Sequence, residues 1–186
     1  MDALVYVRAA PGAAGRILTE LPSRPGVRRA VLVVGDWDVI AVVEAPDMVA
    51  IASVILTDIQ QIEGVERTRT APMVPPDRLG ALGGGLGLAS HPQLLPGDAC
   101  YVHVRAEPGT VPSLYERLSE LESVTGVAAL AGRFDLLVEI RRPWDIASGV
   151  ILDQVQTMPG ILATETMVGL DYQEPEEDRD QFSSWS

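Results

Sequence analysis

Lysine is absent from this chain: all 14 of its basic residues are arginine. That removes any chemistry needing a lysine amine, Schiff-base formation and the phosphate-loop lysine included. Cysteine occurs once, as Cys100, so no disulfide can form within the chain. At the opening of an apolar stretch it reads as a buried thiol rather than a nucleophile. Histidine occurs twice, as His91 and His103. No cluster of His, Cys, Asp and Glu at ligand spacing accompanies either, so no metal and no other cofactor is expected. Positive charge is scarce as well: the net charge is -12 and the pI about 4.5, the wrong balance for gripping phosphates, so no nucleic-acid partner is expected. No apolar run approaches the roughly 18 residues of a membrane span. The start MDALVYVRAA lacks the basic region and apolar core of a secretion signal. The expected setting is cytoplasmic, with no membrane partner.

What the chain does contain is a repeat. ALVYVRAAPG (3–12) lies over CYVHVRAEPG (100–109), so that Val5 falls on Val102, an offset of 97 (102 − 5). The same offset carries Gly35, Asp38 and Pro46 onto Gly132, Asp135 and Pro143. One residue is then lost, and VILTDIQQIEGVERTRT (54–70) pairs with VILDQVQTMPGILATET (150–166). Two copies at this period are two small domains rather than a solenoid.

Each copy reads as β-α-β-β-α-β, an α+β unit. In the first, LVYVRA is a strand, Pro11 to about Ser23 is a helix, and VRRAVLVV and DVIAVVEA are strands flanking the GDWD turn. The segment 47–63 is a second helix, with Asp47 as N-cap and Met48, Ile51, Ile55 and Ile59 along one stripe, stopped by Gly64. VERTRTAPMV is the last strand. The second copy places Leu114, Leu118 and Leu121 on its first helix and Ile146, Val150, Ile151 and Val155 on its second. The strands VLVV, VIAVV and LLVEI are apolar without alternation, so both faces of each sheet must be covered. Helices cover one face. The economical cover for the other is the second copy's sheet, which buries Tyr6 and its counterpart His103 between the sheets.

The expected organisation is domain 1 over residues 1–74, a Pro/Gly-rich linker over 75–98, domain 2 over 99–171 and an acidic tail over 172–186. Within the linker, GGGLGLAS lacks both the leading strand and the following Lys-Ser/Thr of a phosphate loop. The tail QEPEEDRDQFSSWS has the composition of disorder, with Phe182 and Trp185 as a candidate docking motif.

Asp36 and Asp38 form an acid pair in the first turn, but Arg133 stands in the place of Asp36 in the second, so no catalytic dyad is shared. Both copies keep Gly35 or Gly132, an aromatic at Trp37 or Phe134, an acid at Asp38 or Asp135, and a Thr-x-Thr at Thr68 and Thr70 or Thr164 and Thr166. A carboxylate can hold an ammonium, hydroxyls can hold a carboxylate, and an aromatic can wall an apolar side chain, so the set suits an amino-acid-like ligand. From the residues alone it better suits a structural turn, in which the Asp caps its own hairpin and Thr-x-Thr is ordinary strand chemistry.

The order of elements, Pro25-Gly26-Val27 before the second strand, Gly-x-aromatic-Asp at the hairpin, and Gly64-Val65 or Gly160-Ile161 leading to Thr-x-Thr together resemble the ligand-binding (RAM) domain of the Lrp/AsnC regulators. The resemblance covers residues 3–74 and 99–171. It implies a ferredoxin-like fold, also that of dimeric α/β-barrel enzymes, whose sheets pair face to face and often assemble into rings of dimers. It also implies an effector, usually an amino acid, where hairpin loops meet. By position, Gly35, Trp37, Asp38, Thr68 and Thr70 would line one pocket, and Gly132, Phe134, Asp135, Thr164 and Thr166 the other. Typical members carry an N-terminal helix-turn-helix, whereas this sequence opens on the first RAM strand, so direct DNA binding is not expected. The second copy departs at Ser123, Arg133 and Glu165, where the first has Gly26, Asp36 and Arg69; pockets of different preference would follow.

The expectation is a non-enzymatic module for transcription regulation that binds an amino-acid-like effector and acts by self-association or association with other Lrp/AsnC proteins. The alternative is a ligand-free scaffold recruiting a partner through the acidic tail. An enzyme ranks last, because only Tyr6 and His103 are candidates for catalytic groups between the sheets; an open cavity beside them would favour it.

Overall fold

The computed structural model describes residues 1–79 and 91–172. The GGGLGLAS stretch and the tail beyond Tyr172, with Phe182 and Trp185, lie outside the described residues.

Both copies fold as their apolar patterns predict. The first consists of β1 (Asp2–Ala9), α1 (Ala14–Glu20), β2 (Val27–Val34), β3 (Val39–Glu44), α2 (Met48–Val54) and β4 (Val65–Val74). The second consists of β5 (Cys100–Ala106), α3 (Val111–Ser119), β6 (Val124–Leu130), β7 (Leu136–Ile140), α4 (Trp144–Val150) and β8 (Ile161–Leu170). Each sheet is antiparallel, in the orders β2-β3-β1-β4 and β6-β7-β5-β8. The two sheets face each other and also meet at both edges. Leu32–Val34 pair with Val168–Leu170, and Met73 and Val74 pair with Leu130 and Ala129, closing an eight-stranded barrel.

The alternation of faces along β1 shows how this uses unbroken apolar strands. Ala3, Val5 and Val7 pack under the helices with Ile17, Ile51 and Ile59, while Leu4 and Tyr6 point into the barrel with Trp37, Tyr101, Leu137 and Met167. On β5, Val102 and Val104 face helices α3 and α4, and Tyr101 faces inward. On these two central strands both faces thus meet apolar neighbours, which is the requirement of a doubly covered sheet.

The helices depart from the sequence reading in detail. The first stops at Glu20 and tightens into a 3-10 turn over Leu21–Ser23, because Pro22 has no N–H to donate. Asp47 caps α2 as expected, accepting from the Ala50 N–H at 2.8 Å. After Val54 the helix widens over Ile55–Ile59, and the Gln60 N–H reaches back to the Ile55 carbonyl at 2.9 Å. The second copy repeats this widening over Ile151–Val155, with Gln156 bonded to Ile151 at 2.9 Å. Met48 and Ile146, placed on the apolar stripes by spacing, are 38% and 52% exposed.

The recurrent Asp of each hairpin ties that hairpin to the first strand of its copy. The pairing of β1 with β4 shifts register between Arg8 and Ala9, and the Ala9 N–H released there donates to Asp38 Oδ2 at 2.9 Å. The second copy does the same between Arg105 and Ala106, whose N–H donates to Asp135 Oδ2 at 2.8 Å. Backbone bonds from Asp38 N–H to Val7 and from Asp135 N–H to Val104 complete the ties. Gly35 allows the first hairpin its course: its φ is +151°, and a Cβ there would lie 2.9 Å from Met167 Cγ.

The barrel end away from the hairpins is covered by the returning stretch 91–98. Leu94 is buried among the inter-sheet residues, and its N–H donates to Glu139 Oε2 at 2.9 Å. Thr125 satisfies the other oxygen of this fully buried carboxylate at 2.8 Å. Arg141 holds the carbonyls of Leu95 and Pro96, and Arg29 that of Gln93.

Replacing Asp38 or Asp135 by Ala leaves a bulge N–H without its carboxylate. Each change should cost about 1–2 kcal/mol, a fall in melting temperature of roughly 2–8 °C by circular dichroism with no ligand added. An unchanged melting temperature would show that these ties do not hold the hairpins.

Candidate functional site

The two hairpin loops converge at one mouth of the barrel, over the few polar residues that point inward. Tyr6 on β1 and His103 on β5 occupy equivalent positions in the two copies and meet between the sheets, His103 Nε2 lying 2.7 Å from the Tyr6 hydroxyl. Both are 2% exposed. Their cross-strand neighbours on the last strands are Arg69 and Glu165, again at equivalent positions. The aromatics of the hairpins lie over them. The Phe134 ring stacks on His103 with centroids 4.5 Å apart and planes within 4°, and Trp37 lies 5.9 Å from Tyr6.

Guanidinium groups form the outer layer. Arg69 and Arg67 sit over the Trp37 ring at 4.9 and 5.7 Å, and Arg133 over Phe134 at 5.2 Å, within cation–π range. Arg8, Arg67, Arg69 and Arg133, with Asp36 and Trp37, enclose an open basin of about 230 Å³. Beneath it a slot of about 20 Å³, bordered by Tyr6, His103, Trp37, Phe134, Arg69 and Arg133, reaches inward. A space of that size admits one water-sized group.

Burial and the neighbouring guanidiniums set the charge states. Burial lowers the pKa of His103 to about 4, and Arg69 and Arg133 push the same way, so the imidazole is neutral at pH 7. Burial raises the Tyr6 phenol far above its ordinary value, Arg69 opposing and Glu165 adding to the rise. Burial raises Glu165 too; Asp36 adds to this, while Arg133 and Arg69 pull it back. The site therefore offers a neutral donor–acceptor pair below a cationic surface. That arrangement can hold an anion and move or share a proton beneath it.

The residues that sequence singled out do not all gather here. Trp37, Phe134, Thr70 and Gly132 border the slot. Gly35 lies against Met167, and Asp38 and Asp135 accept the bulge N–H groups, Asp38 also lying 3.5 Å from Arg8. Thr68 and Thr164 accept hydrogen bonds from Gln60 and Gln156 at 2.7 and 2.8 Å. By register, Thr68 and Thr70 pair with Val7 and Val5, and Thr164 and Thr166 with Val104 and Val102, on the helix side of the sheets. A shallow outer hollow of about 390 Å³ adjoins Thr164 and Gln156. Sequence reasoning passed over Arg8, Arg67, Arg69 and Arg133 as basin residues, and Gln60 and Gln156 as partners of the threonines. Arg105, at the position of Arg8 in the second copy, is exposed. Cys100 is buried as expected; burial, with Asp98 beside it, raises its thiol to about 11.

The family model described as Lrp/AsnC ligand binding domain matches residues 2–74 and again residues 99–176. No curated protein matches the sequence. Among solved structures, the siroheme decarboxylase NirDL is 8% identical with a TM-score of 0.67, over 96% of this chain and 76% of that one. A putative chlorite dismutase, TA0507, is 12% identical with a TM-score of 0.51, over 92% of this chain and 94% of that one. AsnC of E. coli is 25% identical with a TM-score of 0.38, over 53% of this chain and 66% of that one. The expectation that the chain is not an enzyme is corrected here. A siroheme decarboxylase shares the barrel over nearly the whole chain, so the fold is one that enzymes also use, and a small slot borders Tyr6 and His103. Among the described residues no helix is long and apolar enough to cross a membrane.

The neutral buried imidazole has a measurable consequence. The His103 pKa lies below its ordinary 6.5, so between about pH 4 and 6.5 the unfolded chain binds a proton that the native one refuses, and stability rises with pH across that window. NMR of the His103 ring should show a midpoint near 4, and His103→Asn should flatten that part of the stability profile. A midpoint near 6.5 would mean that the ring is solvated.

Proposed function

Because this chain belongs to the Lrp/AsnC ligand-binding domain family, with both of its halves matching, we propose that it binds a small organic anion in the arginine-lined basin between its two hairpins. The carrying observation is the concentration of Arg8, Arg67, Arg69 and Arg133 around one opening in a chain whose net charge is -12. Guanidiniums present planar forks that match carboxylates, and here they rest on Trp37 and Phe134, which wall a flat apolar body. Thr70 and Gly132 border the path into the slot below. An amino acid or derivative suits this place: its carboxylate would meet the guanidiniums and its ammonium Asp36 on the basin wall. A ligand seated there touches both copies at once, so its presence would be felt as a change in how the hairpins pack. Val49, Leu56, Ile146 and Leu152, exposed on the outer helical segments, support self-association or association with other Lrp/AsnC proteins as the readout.

A second reading, catalysis on the bound anion, is favoured by the buried Tyr6–His103 pair bordering the slot. Mass spectrometry of recovered ligand separates the two: a binding module returns it unchanged, and an enzyme returns product.

Calorimetry with a panel of amino acids, aromatic carboxylates and aliphatic dicarboxylates should find binders, and Arg69→Ala or Arg133→Ala should weaken them by about 10- to 100-fold, the value of one charged hydrogen bond. Binding indifferent to both replacements would move the site elsewhere.

A further inference from the structure

Where His103 borders the slot and Glu165 approaches Arg133 of the basin, two buried polar atoms face each other. Among the described residues His103 Nδ1 and Glu165 Oε1 have no hydrogen-bond partner, and they are 3.9 Å apart. The second imidazole nitrogen is engaged, 2.7 Å from the Tyr6 hydroxyl. With the ring proton on Nε2, that nitrogen donates to Tyr6, and the lone pair of Nδ1 is left pointing at an acceptor. With the proton on Nδ1, the N–H faces Oε1 across a distance beyond hydrogen-bond length. In the first arrangement one added proton turns two opposed acceptors into a donor and an acceptor, which a closing of the 3.9 Å gap would join as a carboxylic O–H···N bond. The local charges decide when that proton arrives. Glu165 is faced by Arg133, 4.0 Å away at its other oxygen, by Arg69 on β4, by Asp36 in the first hairpin, and by His103 and Tyr6 on the strands beside and opposite it. Arg133 and Arg69 favour its ionised form, and these same two guanidiniums line the basin. An anion arriving on them withdraws their support from Glu165 and adds a negative charge beside Asp36.

We propose that Glu165 and His103 are a proton-linked specificity element of the basin: an organic anion without an ammonium group binds together with one proton, which Glu165 takes up and shares with His103 Nδ1. An amino acid brings its own positive charge and needs no such proton. This rests on the basin reading above and names the ligand chemistry that it leaves open. By linkage, binding that takes up a proton weakens as pH rises, and protonation and ligand affinity favour each other equally.

The test is calorimetry of the full chain with 3-phenylpropanoate and with phenylalanine, which differ by the ammonium group, in Tris and in bis-Tris. These buffers are cationic and do not compete for the guanidiniums, and their ionisation enthalpies differ. The expected result is uptake of close to one proton with 3-phenylpropanoate and none with phenylalanine. The affinity for 3-phenylpropanoate should fall from about pH 5 to about pH 8 by up to roughly tenfold per unit. Glu165→Gln, which mimics the protonated carboxyl, should abolish the uptake and hold the high-pH affinity at the low-pH value. Binding of 3-phenylpropanoate by the wild-type chain with equal heats in both buffers overturns the proposal and leaves the basin reading standing. Uptake that persists in Glu165→Gln overturns the assignment to this pair. Failure of 3-phenylpropanoate to bind overturns the proposal, and binding of phenylalanine in the same experiment leaves the basin reading standing. The two wild-type titrations decide the matter even if the variant does not fold.

Discussion

Each four-stranded sheet of this protein is apolar on both faces and has helices for only one of them. Leaving the second face in water would expose residues such as Leu4, Leu137 and Met167, which are among the most buried in the structure. Burying them is favourable at about 25 cal/mol per Å², and the second copy supplies the cover. The closed barrel, the meeting of the two hairpins at one mouth and the position of residues 91–98 at the other all follow from satisfying that need within one chain. Polar residues pointing inward are costly in such a layer; among the described residues they include Tyr6, His103, Arg69 and Glu165 near the mouth, Tyr101, and Glu139 at the far end with each carboxylate oxygen accepting a hydrogen bond.

Duplication within one chain also frees the residues nearest the pseudo-twofold axis from being identical. Two separate copies of one domain would bring Tyr to Tyr or His to His. Here Tyr6 meets His103, a donor matched to an acceptor, and the neighbouring positions have diverged to Arg69 and Glu165 and to Asp36 and Arg133. The basin is built from these differences. One copy contributes the guanidiniums over Trp37, and the other contributes the imidazole, the carboxylate and the stacked Phe134.

How much of this could be read beforehand follows from what a repeat reveals. Element order, helix faces and the burial of both sheet faces are local patterns written twice, and they were legible, as was the inward position of Tyr6 and His103. What both copies share includes Asp38, Asp135, Thr68 and Thr164, which stand at strand bulges and beside Gln60 and Gln156 and so have a structural part in both copies. The basin escaped because Arg8, Arg67 and Arg69 sit on two strands at intervals that look like ordinary solvated positions, and Arg133 comes from the other copy. Only tertiary closure makes them neighbours. The widening of both second helices escaped for a different reason: VILTDIQ and VILDQVQ satisfy a regular helical period equally well, and the choice is made where Gln60 and Gln156 reach the last strands.

The stretch 91–98, which seats Leu94 against Glu139, bears on concentration. A barrel assembled from two separate chains is held by mass action and comes apart on dilution, so the site between its halves exists only above a threshold of protein. Joining the halves through one chain, and seating part of the connection against Glu139, makes closure a unimolecular event with a fixed effective concentration. The basin between the hairpins is then as intact in a single molecule at high dilution as it is in a crowded solution.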